Sequence, residues 1–240
     1  MIVDIHSHIK RDYDNQEKLE DALLKDMHKH NIVLRVVSTL EGKSISEQND
    51  YISSFVSKHP NQLIGCAIIN PKEFNSIEET KRALSLPGMK MIEFNSLEHG
   101  YYPDSCQNID EILDIVESRK IPVKVFVGIG SRSMPQQWLV HTRKHPGIKF
   151  IFLHMGCFDY GYGCIDLALE NDNIYVESSN QYEVQILKKA VEKLPKEKII
   201  FGSLYPERLT KCSLDIFDMF NLEEEYKKSV FYKNGAGMLT

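Results

Sequence analysis

The feature that most constrains what this 240-residue chain can fold into is a repeated alternation of short apolar runs with stretches of helical periodicity. The apolar runs cover residues 2–5, 32–37, 63–69, 89–94, 122–127, 147–156, 173–177 and 199–203. The intervening helical patterns cover 17–30, 46–59, 75–85, 109–120, 135–145, 164–170 and 181–194, with further helical segments from 207 to 230. Runs that are apolar on both faces describe a parallel sheet covered on each side by its crossover helices. Eight such units in this length favour closure into a distorted (β/α)8 barrel over an open sheet. Residues 1–240 read as one domain, since no repeat, low-complexity tract or linker divides them.

A barrel of this kind places its chemistry at one mouth, where the strands end. The first strand ends in His6 and His8, with only Ser7 between them. Strand side chains alternate, so the two imidazoles share a face and can share a metal ion. Asp4 has the same parity and is expected to fix a ring tautomer or to pair with Lys124. Glu93 ends the fourth strand, facing inward with Met91 and Asn95. His6, His8 and Glu93 would make a two-histidine, one-carboxylate set suited to zinc foremost, with manganese or iron as alternatives. Lys124 competes for the same carboxylate, because a buried Glu93–Lys124 ion pair would satisfy both charges. His154 closes the sixth strand and is the candidate proton carrier, beside Glu93 as a second catalytic candidate.

Four loop residues at the expected mouth, Tyr101, Tyr102, Arg132 and Asn180, are candidates for substrate contact, and Arg132 suits a carboxylate by its planar fork. Arg208 shares that neighbourhood. His59, His141 and His145 fall at helix ends away from the mouth and read as surface residues.

Bulk composition excludes other classes. A formal net charge of −5 with acidic and basic residues interspersed leaves no nucleic-acid footprint. No run approaches the roughly 20 apolar residues needed to span a bilayer, and the first residues lack a secretory pattern, so a cytoplasmic protein without membrane contact is expected. Five cysteines with scattered spacing suggest plain thiols rather than a disulfide framework or a zinc ribbon. A small-molecule substrate is the expected partner, and oligomeric state is left open.

Several segments together resemble the amidohydrolase superfamily of metal-dependent hydrolases, especially the branch that includes aminocarboxymuconate-semialdehyde decarboxylase. They are Val-Asp-Ile-His-Ser-His ending at His8, the Glu-His-Gly-Tyr-Tyr-Pro-Asp run from Glu98, Ile-Pro-Val from Ile121, Lys-Phe-Ile-Phe-Leu-His-Met-Gly from Lys149, Ile-Phe-Gly-Ser-Leu-Tyr-Pro from Ile200, and Asn-Gly-Ala from Asn234. The resemblance implies that His6 and His8 are the first two metal ligands and that His154 assists the chemistry. It also shows departures. Phe126 stands where the family has a third ligand histidine, and Leu204 where it has an aspartate. Glu93 replaces a lysine, and Asn95 a frequent histidine.

Phenylalanine and leucine offer no lone pair to a metal and cannot take a proton. Two functions follow as expectations. The first is a metal-dependent hydrolase or decarboxylase with a reduced ligand set, acting on a small carboxylate-bearing molecule. The second is a catalytically inactive barrel, possessing no metal, that binds a small molecule or a protein.

Overall fold

Each apolar run becomes a strand, and each strand pairs in parallel with the next. The computed structural model describes residues 1–239. Among them the strands are β1 (Ile2–His8), β2 (Ile32–Ser38), β3 (Leu63–Ile68), β4 (Met89–Phe94), β5 (Val123–Val125), β6 (Phe150–Phe152), β7 (Ile174–Glu177) and β8 (Ile199–Ile200). Their order in the sheet is their order in the chain. The helices between them are α1 (Gln16–Lys29), α2 (Ile45–Ser57), α3 (Ser76–Ala83), α4 (Ser96–His99), α5 (Ile109–Ser118), α6 (Leu139–Lys144), α7 (Gly161–Glu170) and α8 (Val184–Lys193). Three more, α9 (Thr210–Asp215), α10 (Glu224–Lys228) and α11 (Asn234–Met238), follow β8. This is the (β/α)8 barrel, in a single domain. No helix among the described residues is long and apolar enough to cross a membrane.

The two ends of the sheet meet through main-chain bonds. Ile5 N–H donates to Phe201 O (3.0 Å), Leu204 N–H to His6 O (2.9 Å) and His8 N–H to Tyr205 O (2.7 Å). The seam therefore runs directly beside the histidines of β1.

Two apolar layers hold the fold. One lies between sheet and helices and is built on residues such as Leu23, Phe55, Ile112, Trp138 and Ile165. The other fills the barrel with Ile5, Val36, Cys66, Met91, Ile151 and Ile200, and α11 adds Met238 to it. Gly235 of α11 sits against Val3, where a Cβ would come within 2.9 Å of a valine methyl.

One irregularity decides which side chains reach the interior. Asp4 pairs with Arg35, yet Ser7 pairs with Val37, so β1 has one more residue than β2 over that step. Such a bulge flips the alternation of side chains. Ile5 and His6 consequently both face the interior, and Asp4 faces the helices. This corrects the expectation for Asp4, which meets neither Lys124 nor an imidazole ring. It bonds Arg35 Nε (2.8 Å), Ser203 Oγ (2.6 Å), Ser203 N (2.9 Å) and the backbone N of His6 (3.2 Å). Arg35, itself fully buried, continues to Asp26 on α1 at 2.8 Å.

A second correction concerns His141 and His145, which are buried between α5 and α6 rather than on the surface. His141 Nδ1 lies 2.6 Å from Asp110 Oδ1, and His145 Nδ1 lies 3.2 Å from Glu117 Oε2.

Candidate metal centre at the barrel mouth

The polar residues that end the strands converge on one buried cluster. His6 and His8 come from β1, Ser38 from the end of β2, Glu93 from β4, Lys124 from β5, His154 from the turn after β6 and Glu177 from the end of β7. The His6 and His8 rings meet edge to face with centroids 4.9 Å apart, and the His6 and His154 centroids are 5.2 Å apart. Strand ends can do this because adjacent parallel strands deliver their last inward side chains to the same rim.

Glu93 is the hub. Its Oε2 lies 2.9 Å from Lys124 Nζ and accepts from Ser38 Oγ at 3.0 Å, while Oε1 faces His8 Nε2 at 3.5 Å. Lys124 also reaches His6 Nδ1 at 3.2 Å. Both readings of Glu93 thus meet in one place, since the ion pair with Lys124 forms and the carboxylate still stands beside both histidines.

Burial and charge set the protonation states. Burial opposes ionisation of Glu93, but Lys124 and His8 overcome it and hold the carboxyl well below its ordinary range. Burial would neutralise His8, yet its contacts with Glu207 and Glu93 push it up to about 9; Glu207 Oε2 is 3.7 Å from its Nδ1. Burial, reinforced by Lys124, drives His6 well below the usual value, so it is neutral. His154 is neutral as well, pushed down to about 3 by burial and by His8.

A second chain of groups supports His154. Its Nδ1 is 2.8 Å from Ser179 Oγ, which in turn donates to Glu177 Oε2 at 2.9 Å, and its backbone N–H donates to the same oxygen at 3.0 Å. Burial pushes the Glu177 carboxyl up to about 7. His154 and Met155 both hold left-handed backbone, with φ of 59° and 54°. That conformation is costly for a side chain with a Cβ, and such outliers concentrate where function requires them.

The donor atoms suit a divalent metal. His6 Nε2 and His8 Nε2 are both buried and have no hydrogen-bond partner among the described residues, an expensive state unless something else binds them. With Glu93 they form a group whose ligand atoms all lie within 4.8 Å of one another, and His6, His154 and Glu177 form another. Phe126 stacks edge-on against His154 at 5.5 Å, and Leu204 is buried beside the seam with φ of 54°. Neither adds a ligand.

The other expected site residues divide. Arg132 lies near Tyr102, its guanidinium 5.9 Å from the ring centroid, on the loops after β5 and β4. Tyr101 is only 4% exposed and belongs to the outer apolar layer. Asn180 accepts from Arg208 Nε at 2.8 Å. Ser38, Glu177, Ser179 and Glu207 went unread in the sequence as site groups. The polar run Glu177-Ser178-Ser179-Asn180 closing an apolar strand was the available signal.

Residues 3–239 match the family model described as Amidohydrolase. The chain belongs to the amidohydrolase family. Solved structures agree on the fold. An uncharacterized TIM-barrel protein from Bordetella bronchiseptica superposes with a TM-score of 0.82 at 13% identity, covering 99% of this chain and 98% of that one. A dihydroxybenzoic acid decarboxylase from Polaromonas, with bound manganese and the inhibitor 2-nitroresorcinol, gives 0.75 at 16% identity over 99% and 96%. A probable 2-pyrone-4,6-dicarboxylic acid hydrolase from Acinetobacter baumannii, with citric acid bound, gives 0.78 at 14% over 99% and 98%. Among curated proteins no match is found. This amidohydrolase has the barrel, with His6 and His8 on β1 and Glu93 on β4 at its mouth.

Proposed function

We propose that this amidohydrolase is a metal-dependent hydrolase or decarboxylase of a small carboxylate-bearing molecule, working with a reduced ligand set. The observation that carries the proposal is the pair of buried Nε2 atoms of His6 and His8, neither hydrogen-bonded within the described residues, beside Glu93. These three residues would hold a divalent ion, zinc foremost, and the manganese bound in the Polaromonas decarboxylase makes manganese a close alternative. Such an ion would supply Lewis acidity and an acidified water.

The remaining groups act on the proton and the substrate. With Glu177 ionised, Ser179 donates to it and accepts from Nδ1–H of His154, which leaves the lone pair at Nε2 of His154 to take a proton. Lys124 and Ser38 hold Glu93 in place. Arg132 and Tyr102, close together on the loops after β5 and β4, would receive a carboxylate. The citric acid bound to the Acinetobacter protein fits that class of ligand.

The test is elemental analysis of protein grown with zinc, manganese or iron, beside the His6→Ala variant. About one ion per chain, lost in the variant, is the expected result. Well under one ion, with His6→Ala unchanged, overturns it.

A second reading has its own observation. The Lys124 ammonium already neutralises Glu93 within the same cluster, and Phe126 and Leu204 present hydrocarbon where ligands would stand. This reading makes the barrel a catalytically inactive binder of a small molecule or protein. Saturation of the unaltered protein with metal, together with turnover of an ester or acid, would eliminate it.

A further inference from the structure

A separate cavity of about 180 Å³ lies beyond the ends of β7 and β8, against α9. Ser178, Asn180, Tyr182, Arg208 and Ile216 line it, and none of the residues of the metal centre does. Ser178 is 1% exposed, and its Oγ has no hydrogen-bond partner among the described residues. A buried hydroxyl left in that state costs free energy that a ligand can recover.

Arg208 supplies a positive charge to the same wall. Its Nε donates to Asn180 Oδ1 at 2.8 Å and its Nη1 to Glu207 O at 3.1 Å, and the guanidinium stands 4.8 Å from the Tyr182 ring centroid. Among the described residues no carboxylate pairs with it. A half-buried guanidinium braced on its Nε side, beside an idle hydroxyl, presents donors to a planar anion. Tyr182 and Ile216 give the cavity an apolar wall. Its volume suits one ring, since a cavity of about 150 Å³ accepts benzene.

We propose that this cavity is an accessory site for a small monocarboxylate with a compact apolar body. Arg208 and Ser178 hold the carboxylate, and Tyr182 and Ile216 hold the body. The site stands independently of the metal centre but is one residue away from it along the chain. Ser178 and Asn180 face the cavity, while Ser179 between them faces His154. An occupant therefore bears on the segment that orients His154.

Calorimetric titration of the full chain with benzoate tests the assignment, with inorganic phosphate as the probe for a bare anion. In protein treated with chelator, so that no carboxylate is held at the metal centre, saturable binding of about one benzoate per chain is expected. Arg208→Gln should weaken it about ten- to hundredfold and Ser178→Ala about two- to tenfold, as loss of a charged and of a neutral hydrogen bond dictates. His6→Ala should leave it unchanged. Absence of saturation in the millimolar range, binding that survives Arg208→Gln, loss of the site in His6→Ala, or phosphate bound in preference to benzoate would each overturn the proposal. A failure of metal binding at His6 leaves all of these outcomes readable.

Discussion

Lys124 Nζ stands 2.9 Å from Glu93 Oε2, with both side chains cut off from solvent. A buried pair contributes little over a hydrocarbon replacement, but breaking it from one side strands a charge. Lys124→Met is therefore expected to lower stability by about 3–5 kcal/mol. Adding Glu93→Gln should recover a large part of that loss, because the neighbours couple. Urea unfolding of the two single variants and the double variant measures this. Equal losses in Lys124→Met and the double variant would contradict the pairing.

Restoring the missing ligands should strengthen metal binding. Phe126→His adds an imidazole next to His154, and Leu204→Asp adds a carboxylate beside the His6 seam. The second change has an added advantage, since aspartate tolerates left-handed backbone better than leucine and Leu204 has φ of 54°. Calorimetric titration with zinc should show the double variant binding at least about tenfold more tightly.

Glu177 makes stability fall as pH rises. Its ordinary value is 4.5, and burial pushes it up to about 7 in the folded protein. Between those values the folded chain keeps a proton that the unfolded chain has released, so the folded state loses ground as pH climbs through the interval. Above the folded value the loss is complete. Urea midpoints at about pH 5 and about pH 8 should differ in that direction, and Glu177→Gln should flatten the difference. An unchanged slope in the variant would assign the dependence to another group.

Asp4→Ala should be among the most damaging single changes outside the centre. It leaves the fully buried Arg35 with Asp26 as its one carboxylate partner among the described residues and removes two bonds to Ser203 across the seam. An expected loss of about 3–5 kcal/mol follows from stranding part of a buried charge network. Thermal unfolding checks it, and a loss below about 1 kcal/mol would refute the reading.

Much of the barrel was legible because strand burial on both faces leaves an apolar run whatever the tertiary detail. All eight runs became strands, although the runs at 147–156 and 199–203 overstate β6 and β8. The chain leaves the ladder at Leu153 and Phe201 to make the His154 turn and the closing seam. Those departures answer to tertiary geometry, and apolar composition does not encode them.

The centre was legible to the extent that alternation holds. It placed Glu93 and Lys124 on one face, and their contact follows. It also put Asp4 on the face of His6, and there the bulge intervened. An extra residue in a strand leaves no mark in composition, so its effect on parity is visible only once Asp4 and Ser7 find their partners on β2. His141 and His145 show the same limit. Histidine is common on surfaces, and only the docking of α6 on α5 reveals that carboxylates await both rings.

The seam has a consequence for how the molecule comes to exist during synthesis. His6 and His8 leave the ribosome well before the segment that clasps them, from Phe201 to Tyr205. Over that interval the paired imidazoles wait on an open edge strand, able to pick up a stray cation or a foreign strand. The two rings are thus enclosed only after the whole intervening barrel has been made.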